Sequence, residues 1–120
     1  MGLKRYEEPD DSNIPEEEWR VYVYKREELI EEYRLNKKSH YRLGRDEDMN
    51  DIVLGHESCS KQQAVLQFRA NKLFVLDLES SNGTFLNGKR IEAKRFYQIE
   101  SKDCLKFAYS TREYVILKAN

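Results

Sequence analysis

The side chains in this sequence best suited to chemistry fall in three short polar clusters: Gly44-Arg45, Ser58-Cys59-Ser60-Lys61-Gln62-Gln63, and Ser80-Ser81-Asn82-Gly83-Thr84. Each interrupts or ends an apolar run, which places it at a strand end or in a loop, where binding residues concentrate on a rigid scaffold. Taken one at a time, each cluster is explained by turn formation and a solvated charge. The sequence offers no nucleophile paired with a base and no glycine-rich phosphate loop. Its two cysteines, Cys59 and Cys104, and its two histidines have no metal-ligand spacing. The chain therefore reads as a binding protein rather than an enzyme, without cofactor or metal, and its cysteines read as reduced thiols in or near the core.

The elements that must position these clusters read mainly as strands. Trp19-Arg20-Val21-Tyr22-Val23-Tyr24-Lys25 is aromatic and β-branched. Short apolar runs follow at 40–43, 64–69, 73–78, 84–86, 96–99, 104–109 and 114–117, with Ile91 between them. Ala70-Asn71-Lys72 reads as a three-residue hairpin connection, and Asn87-Gly88 is the strongest short hairpin signal in the chain. Many short strands with frequent turn signals predict an all-β sandwich or barrel. Residues 26–35 stand apart: Leu29, Ile30 and Tyr33 have helical spacing among glutamates, so local propensity favours a helix.

The 120 residues have room for one domain, and eight Tyr and five Phe compensate for a composition that is 36% charged. Residues 1–18, acidic and broken by Pro9 and Pro15, are expected to form an extended or disordered head, with the domain spanning 19–120. The formal net charge is -1, which argues against direct nucleic-acid binding or an anionic membrane partner. Charge is uneven, however. Seven acids precede Trp19, while residues 81–120 carry eight basic residues against four acids, a mildly basic body compatible with an anionic ligand. The absence of an apolar run near the length of a membrane span predicts a soluble, intracellular protein.

Together, in this order, the clusters resemble the signature of the forkhead-associated family: Gly-Arg, then Ser-x-x-His, then Ser/Thr-x-Asn-Gly-Thr followed by Asn-Gly. Here it stands as Gly44-Arg45, Ser60-Lys61-Gln62-Gln63, Ser80-Ser81-Asn82-Gly83-Thr84 and Asn87-Gly88. The resemblance runs from about Trp19 to Leu117. It implies a β-sandwich of about eleven strands with ligand loops at one end, and it replaces the helix at 26–35 with paired strands. It also implies a monomeric module that binds a phosphothreonine peptide. Arg45 would be the primary phosphate contact, Ser60 a second donor, Lys61 a rim charge and Ser81 a further donor. Asn82 would hold the peptide backbone. Gly44, Gln63, Gly83, Thr84, Asn87 and Gly88 would shape the loops, with Gly83 and Gly88 adopting positive φ. Gln63 replaces the family's histidine, which motivates a second reading: a scaffold that binds its partners without phosphate.

The flanks narrow the resemblance. Lys4-Arg5-Tyr6-Glu7-Glu8-Pro9, Cys59-Ser60-Lys61-Gln62, Asn87-Gly88-Lys89-Arg90-Ile91-Glu92 and Arg112-Glu113-Tyr114-Val115-Ile116-Leu117 are similar to one subgroup of the family. That subgroup contains the Smad nuclear-interacting protein and the fungal pre-mRNA leakage protein. The kinship implies a nuclear subunit of the pre-mRNA retention and splicing (RES) complex, with partners that include an RNA-recognition-motif protein. In that subgroup a segment before the Tyr-x-x-Pro stretch docks on that partner, and here most of such a segment is expected to be missing.

Overall fold

The computed structural model describes residues 6–119. Among them are eleven strands and no helix: β1 (Trp19–Lys25), β2 (Glu28–Arg34), β3 (His40–Gly44), β4 (Ile52–Val53), β5 (Ala64–Arg69), β6 (Lys72–Asp77), β7 (Thr84–Leu86), β8 (Lys89–Arg90), β9 (Phe96–Ile99), β10 (Cys104–Phe107) and β11 (Glu113–Lys118). They form a six-stranded sheet in the order β2-β1-β11-β10-β7-β8 and a five-stranded sheet in the order β4-β3-β5-β6-β9. The all-β sandwich expected from the sequence is therefore what the chain forms.

Alternation explains the packing. In β1, Trp19, Val21 and Val23 are buried while Arg20, Tyr22 and Tyr24 are partly exposed, the period of a half-buried strand. In β5 even the residues that should face out are covered, because the segment before β1 lies over them. The core between the sheets is built from Val21, Val23, Leu66, Phe68, Leu105, Phe107 and Ile116. Within it, Phe107 meets Tyr114 edge to face at 5.1 Å.

The helical spacing at 26–35 is overridden by pairing. Val21 faces Tyr33 and Lys25 faces Glu28, with a bulge beside Val23 and Tyr24. The two-residue turn Arg26-Glu27 has both φ values positive, the geometry of a type I′ hairpin formed without glycine or asparagine. The 70–72 connection is also tighter than the sequence suggests. Lys72 pairs with Arg69, so only Ala70 and Asn71 form the loop, again at positive φ.

Residues 6–13 lie along the five-stranded sheet, with a turn closed by the Ser12 N–H donating to the Pro9 carbonyl at 3.0 Å and with Ser12 bridged antiparallel to Arg69. The Tyr6 hydroxyl donates to Gln67, and the Glu8 carboxylate accepts from Ser39 and Gln67 and pairs with His40. Burial acts to raise the Glu8 pKa. The hydrogen bonds from Ser39, Gln67 and His40 outweigh it and hold the carboxyl below the usual range.

Candidate functional site

The sandwich brings the three polar clusters to one end, because each follows a strand running toward that end or precedes one running away from it. Gly44 closes β3, Gln63 precedes β5, and Thr84 opens β7. Gly44 is required by close approach rather than by φ. A Cβ there would lie 2.1 Å from the Lys61 carbonyl oxygen, so only glycine lets the β4–β5 loop lie against the end of β3. That contact is sealed by Asn50, whose Nδ2 donates to the carbonyls of Lys61 at 2.7 Å and Asp46 at 2.8 Å.

Beneath the loops lies a continuous buried network. Gln63, fully buried, accepts from the Ser60 N–H at 2.9 Å through its Oε1. Its Nε2 donates to the Gly83 carbonyl at 2.8 Å and to Thr84 Oγ1 at 3.0 Å. The Thr84 hydroxyl donates in turn to Asp77 Oδ1 at 2.6 Å. Asp77 also accepts from the Ser80 hydroxyl at 2.6 Å and from the Ser80 N–H at 3.0 Å. Ser80 Oγ then accepts from the Gly83 N–H at 3.1 Å. Gln63 joins the second cluster to the third, Asp77 ties the third to β6, and the remaining links brace each loop internally, so these two loops are fixed relative to one another before any ligand arrives. Gly83 and Gly88 take φ of 90° and 84°, the left-handed values their role requires. Asn87, at φ 50°, forms a type I′ turn with Gly88 and joins β10 by donating to Asp103 and accepting from the Cys104 N–H.

Above this network sit the residues that could meet a ligand. Arg45 is exposed. Its N–H donates to the Ser60 carbonyl and its Nε to the Cys59 carbonyl, both at 3.0 Å, which anchors the base of the guanidinium and leaves its terminal nitrogens outward. Ser60 Oγ accepts from the Ser81 N–H at 3.0 Å. A hydroxyl held as an acceptor keeps its own hydrogen to donate elsewhere. Lys61 and Ser81 are exposed beside it. Asn82 is fixed by Nδ2 donating to the Ser58 carbonyl at 2.8 Å. The Ser58 hydroxyl accepts from the Tyr109 N–H at 3.0 Å, which brings the β10–β11 loop to the same rim. Below, burial pushes the Cys59 thiol pKa up, and the charge of Arg45 only partly reverses this. The arrangement can take an anion at Arg45, Ser60 and Lys61, and a peptide-like amide at Asn82.

All eleven residues expected at the site are gathered here or in the β7–β8 turn beside it. Sequence reasoning placed Ser58 and Ser80 in the polar clusters without giving them a role, and did not single out Asp77 and Asn50. Asp77 carried a signal, an acid ending the apolar run Leu73-Phe74-Val75-Leu76, where a charge is retained only if it is hydrogen-bonded. Asn50 carried none, since the Lys61 carbonyl that it holds is brought near only by folding.

Comparisons with known proteins agree with this geometry. Mouse Smad nuclear-interacting protein 1 is 43% identical over 94% of this chain, which spans 33% of that protein's length. The FHA domain-containing protein DDL of Arabidopsis thaliana is 40% identical over 96% of the chain, which spans 41% of it. The structure of the yeast Pml1 splicing factor, described with its integration into the RES complex, superposes with a TM-score of 0.89 at 26% identity, covering 98% of this chain and 99% of that one. The family model described as FHA domain matches residues 41–108, which include Gly44-Arg45, the loops at 58–63 and 80–84 and the Asn87-Gly88 turn. The chain thus belongs to the forkhead-associated (FHA) domain family.

Proposed function

We propose that this chain is a phosphothreonine-peptide-binding module acting as a subunit of a nuclear pre-mRNA retention and splicing complex. The observation that carries the phosphate reading is the pairing of Arg45 with Ser60. A guanidinium without a carboxylate partner stands beside a hydroxyl whose acceptor side is already filled by the Ser81 N–H. Both carry donors at the same loop rim, and a phosphothreonine would bring three acceptor oxygens and close to two charges. Asn82, pinned on Ser58, supplies an amide to hold the peptide backbone beside the phosphate. The splicing assignment rests on likeness to yeast Pml1, a splicing factor described with its integration into the RES complex, and to Smad nuclear-interacting protein 1. Its partners are then a phosphothreonine protein and other subunits, an RNA-recognition-motif protein among them.

The scaffold reading drew on Gln63, and the hydrogen bonds of Gln63 remove that motive. It ties Ser60 to Gly83 and Thr84 through both ends of its amide. The test is calorimetry with matched phosphorylated and unphosphorylated threonine peptide pools. The phosphorylated pool should bind at least tenfold tighter. Arg45→Ala should remove about 1.5–3 kcal/mol per lost charged hydrogen bond, roughly ten- to hundredfold in affinity. Equal binding of the two pools would overturn the proposal.

A further inference from the structure

The distribution of unpaired positive charge contains a second feature. Most of the described arginines are matched to an acid: Arg20 to Glu18 and Glu32, Arg34 to Glu18, Arg69 to Asp11, Arg95 to Glu92 and Arg112 to Glu31. Arg42 instead lies over the Tyr6 ring at 5.7 Å. Of the arginines left without a carboxylate, Arg26 is at the tip of the β1–β2 turn. The other two, Arg45 and Arg90, both border the ligand loops.

Arg90 is placed there by its backbone. It pairs with Phe85 across the β7–β8 hairpin, between the Asn87-Gly88 turn and Ile91, which is buried and donates its N–H to the Thr84 carbonyl at 3.0 Å. Its side chain lies across Gly83. A Cβ at that glycine would stand 2.7 Å from Arg90 Nε and 3.0 Å from Cζ. The missing side chain lets the guanidinium rest against the loop backbone next to Asn82, with the residue still exposed. A planar cation held this way loses little freedom on meeting an anion. From Arg90 the loop runs back through Gly83, Asn82 and Ser81 to Ser60. An extended peptide advances about 3.3–3.6 Å per residue, so a neighbour of the phosphothreonine comes within reach of Arg90.

We propose that Arg90 forms a second anion subsite, which takes an acidic or phosphorylated side chain of the bound peptide within a few residues of the phosphothreonine, on the side held by Asn82. This rests on the phosphopeptide reading above. General attraction does not account for such a preference, because Glu57 and Glu79 are exposed on the neighbouring loops. Selectivity has to come from local pairing at one peptide position. A purely structural Arg90 would cover Gly83 with its stem and would not need its charge.

The experiment uses a fixed phosphothreonine peptide in which each of the four positions on either side is asparagine, aspartate or phosphoserine in turn, with binding measured by calorimetry. At one position aspartate should bind about three- to tenfold tighter than asparagine, as one partly exposed ion pair allows. Phosphoserine there exceeding aspartate identifies a doubly phosphorylated ligand; aspartate equal to phosphoserine identifies an acidic one. Arg90→Gln keeps part of the stem over Gly83. It should reduce the preference to less than about twofold while leaving the asparagine peptide's affinity and the melting temperature unchanged. Identical selectivity in Arg90→Gln and the parent, or no position that prefers an acid, overturns the subsite while Arg45→Ala still weakens binding by roughly ten- to hundredfold. If phosphate itself makes no difference, the phosphopeptide reading falls and the subsite falls with it.

Discussion

Gln63 illustrates how a buried amide can hold a binding surface in place without touching the ligand. It offers a donor and an acceptor from one side chain, and three loop groups depend on it: the Ser60 N–H, the Gly83 carbonyl and the Thr84 hydroxyl. Gln63→Leu fills the space but takes the acceptor from the Ser60 N–H and one of two partners from the Gly83 carbonyl and the Thr84 hydroxyl, which keep the Ala108 N–H and Asp77; an unpaired group of this kind costs about 1–3 kcal/mol. We expect about 1–3 kcal/mol of lost stability, read as a lower urea midpoint with unchanged slope. Gln63→His, with one ring nitrogen to donate and one to accept, should lose less than half as much. Equal losses in the two variants would show that shape rather than hydrogen bonding holds the loops. Arg45, Ser60 and Asn82 were legible in the sequence because their residue types and spacing are distinctive. Asp77 was hidden in an apolar run, although Ser80 and Thr84 both hang from its Oδ1.

The elements deliver those residues through tight geometry at strand ends. Gly44→Ala would drive a methyl group into the Lys61 carbonyl at 2.1 Å, a contact with backbone that no rotamer relieves. It should cost about 1–3 kcal/mol as an overpacking strain and weaken phosphopeptide binding, because Lys61 and Ser60 sit on the displaced loop. Thermal melts and peptide titrations of the same variant check both, and an unaltered melting temperature would refute the close-approach argument. Most strands were legible from alternation. The β4 strand was not, since Ile52–Val53 is too short to show a period. Nor could propensity place 28–34, where glutamates favour helix but the edge of β1 supplies a partner at Val21, Val23 and Tyr24. The hairpin at Ala70-Asn71 was read one residue too long, because nothing in a sequence marks which of two adjacent polar residues closes the ladder.

At the scale of the molecule, burial shapes its response to alkali. Desolvation raises the phenol pKa of Tyr6 and Tyr33 and pushes Tyr114 up to about 12, the last partly opposed by Arg112. The fold therefore favours neutral phenols, while an unfolded tyrosine ionises near about 10. Their contribution to stability is intact below that pH and is lost as pH rises from about 10 toward 12. In an ultraviolet phenolate titration of the intact fold, Tyr6, Tyr33 and Tyr114 should resist ionisation above the usual phenol range. Those three should ionise together with the loss of β-sheet circular dichroism. A smooth titration of all eight tyrosines with the fold intact would contradict this. The pairing of β1 with β11 carries a further consequence. Trp19 faces Lys118, and the Ala119 N–H donates to the Glu18 carbonyl at 2.7 Å, so these strands begin and end side by side, at the end of the sandwich away from the ligand loops. Tension applied between Glu18 and Ala119 would peel β1 from β11 one rung at a time instead of shearing the ladder. The domain would yield to a modest pull from that end, whereas a load between the ligand loops and either of those strand ends would meet many rungs at once.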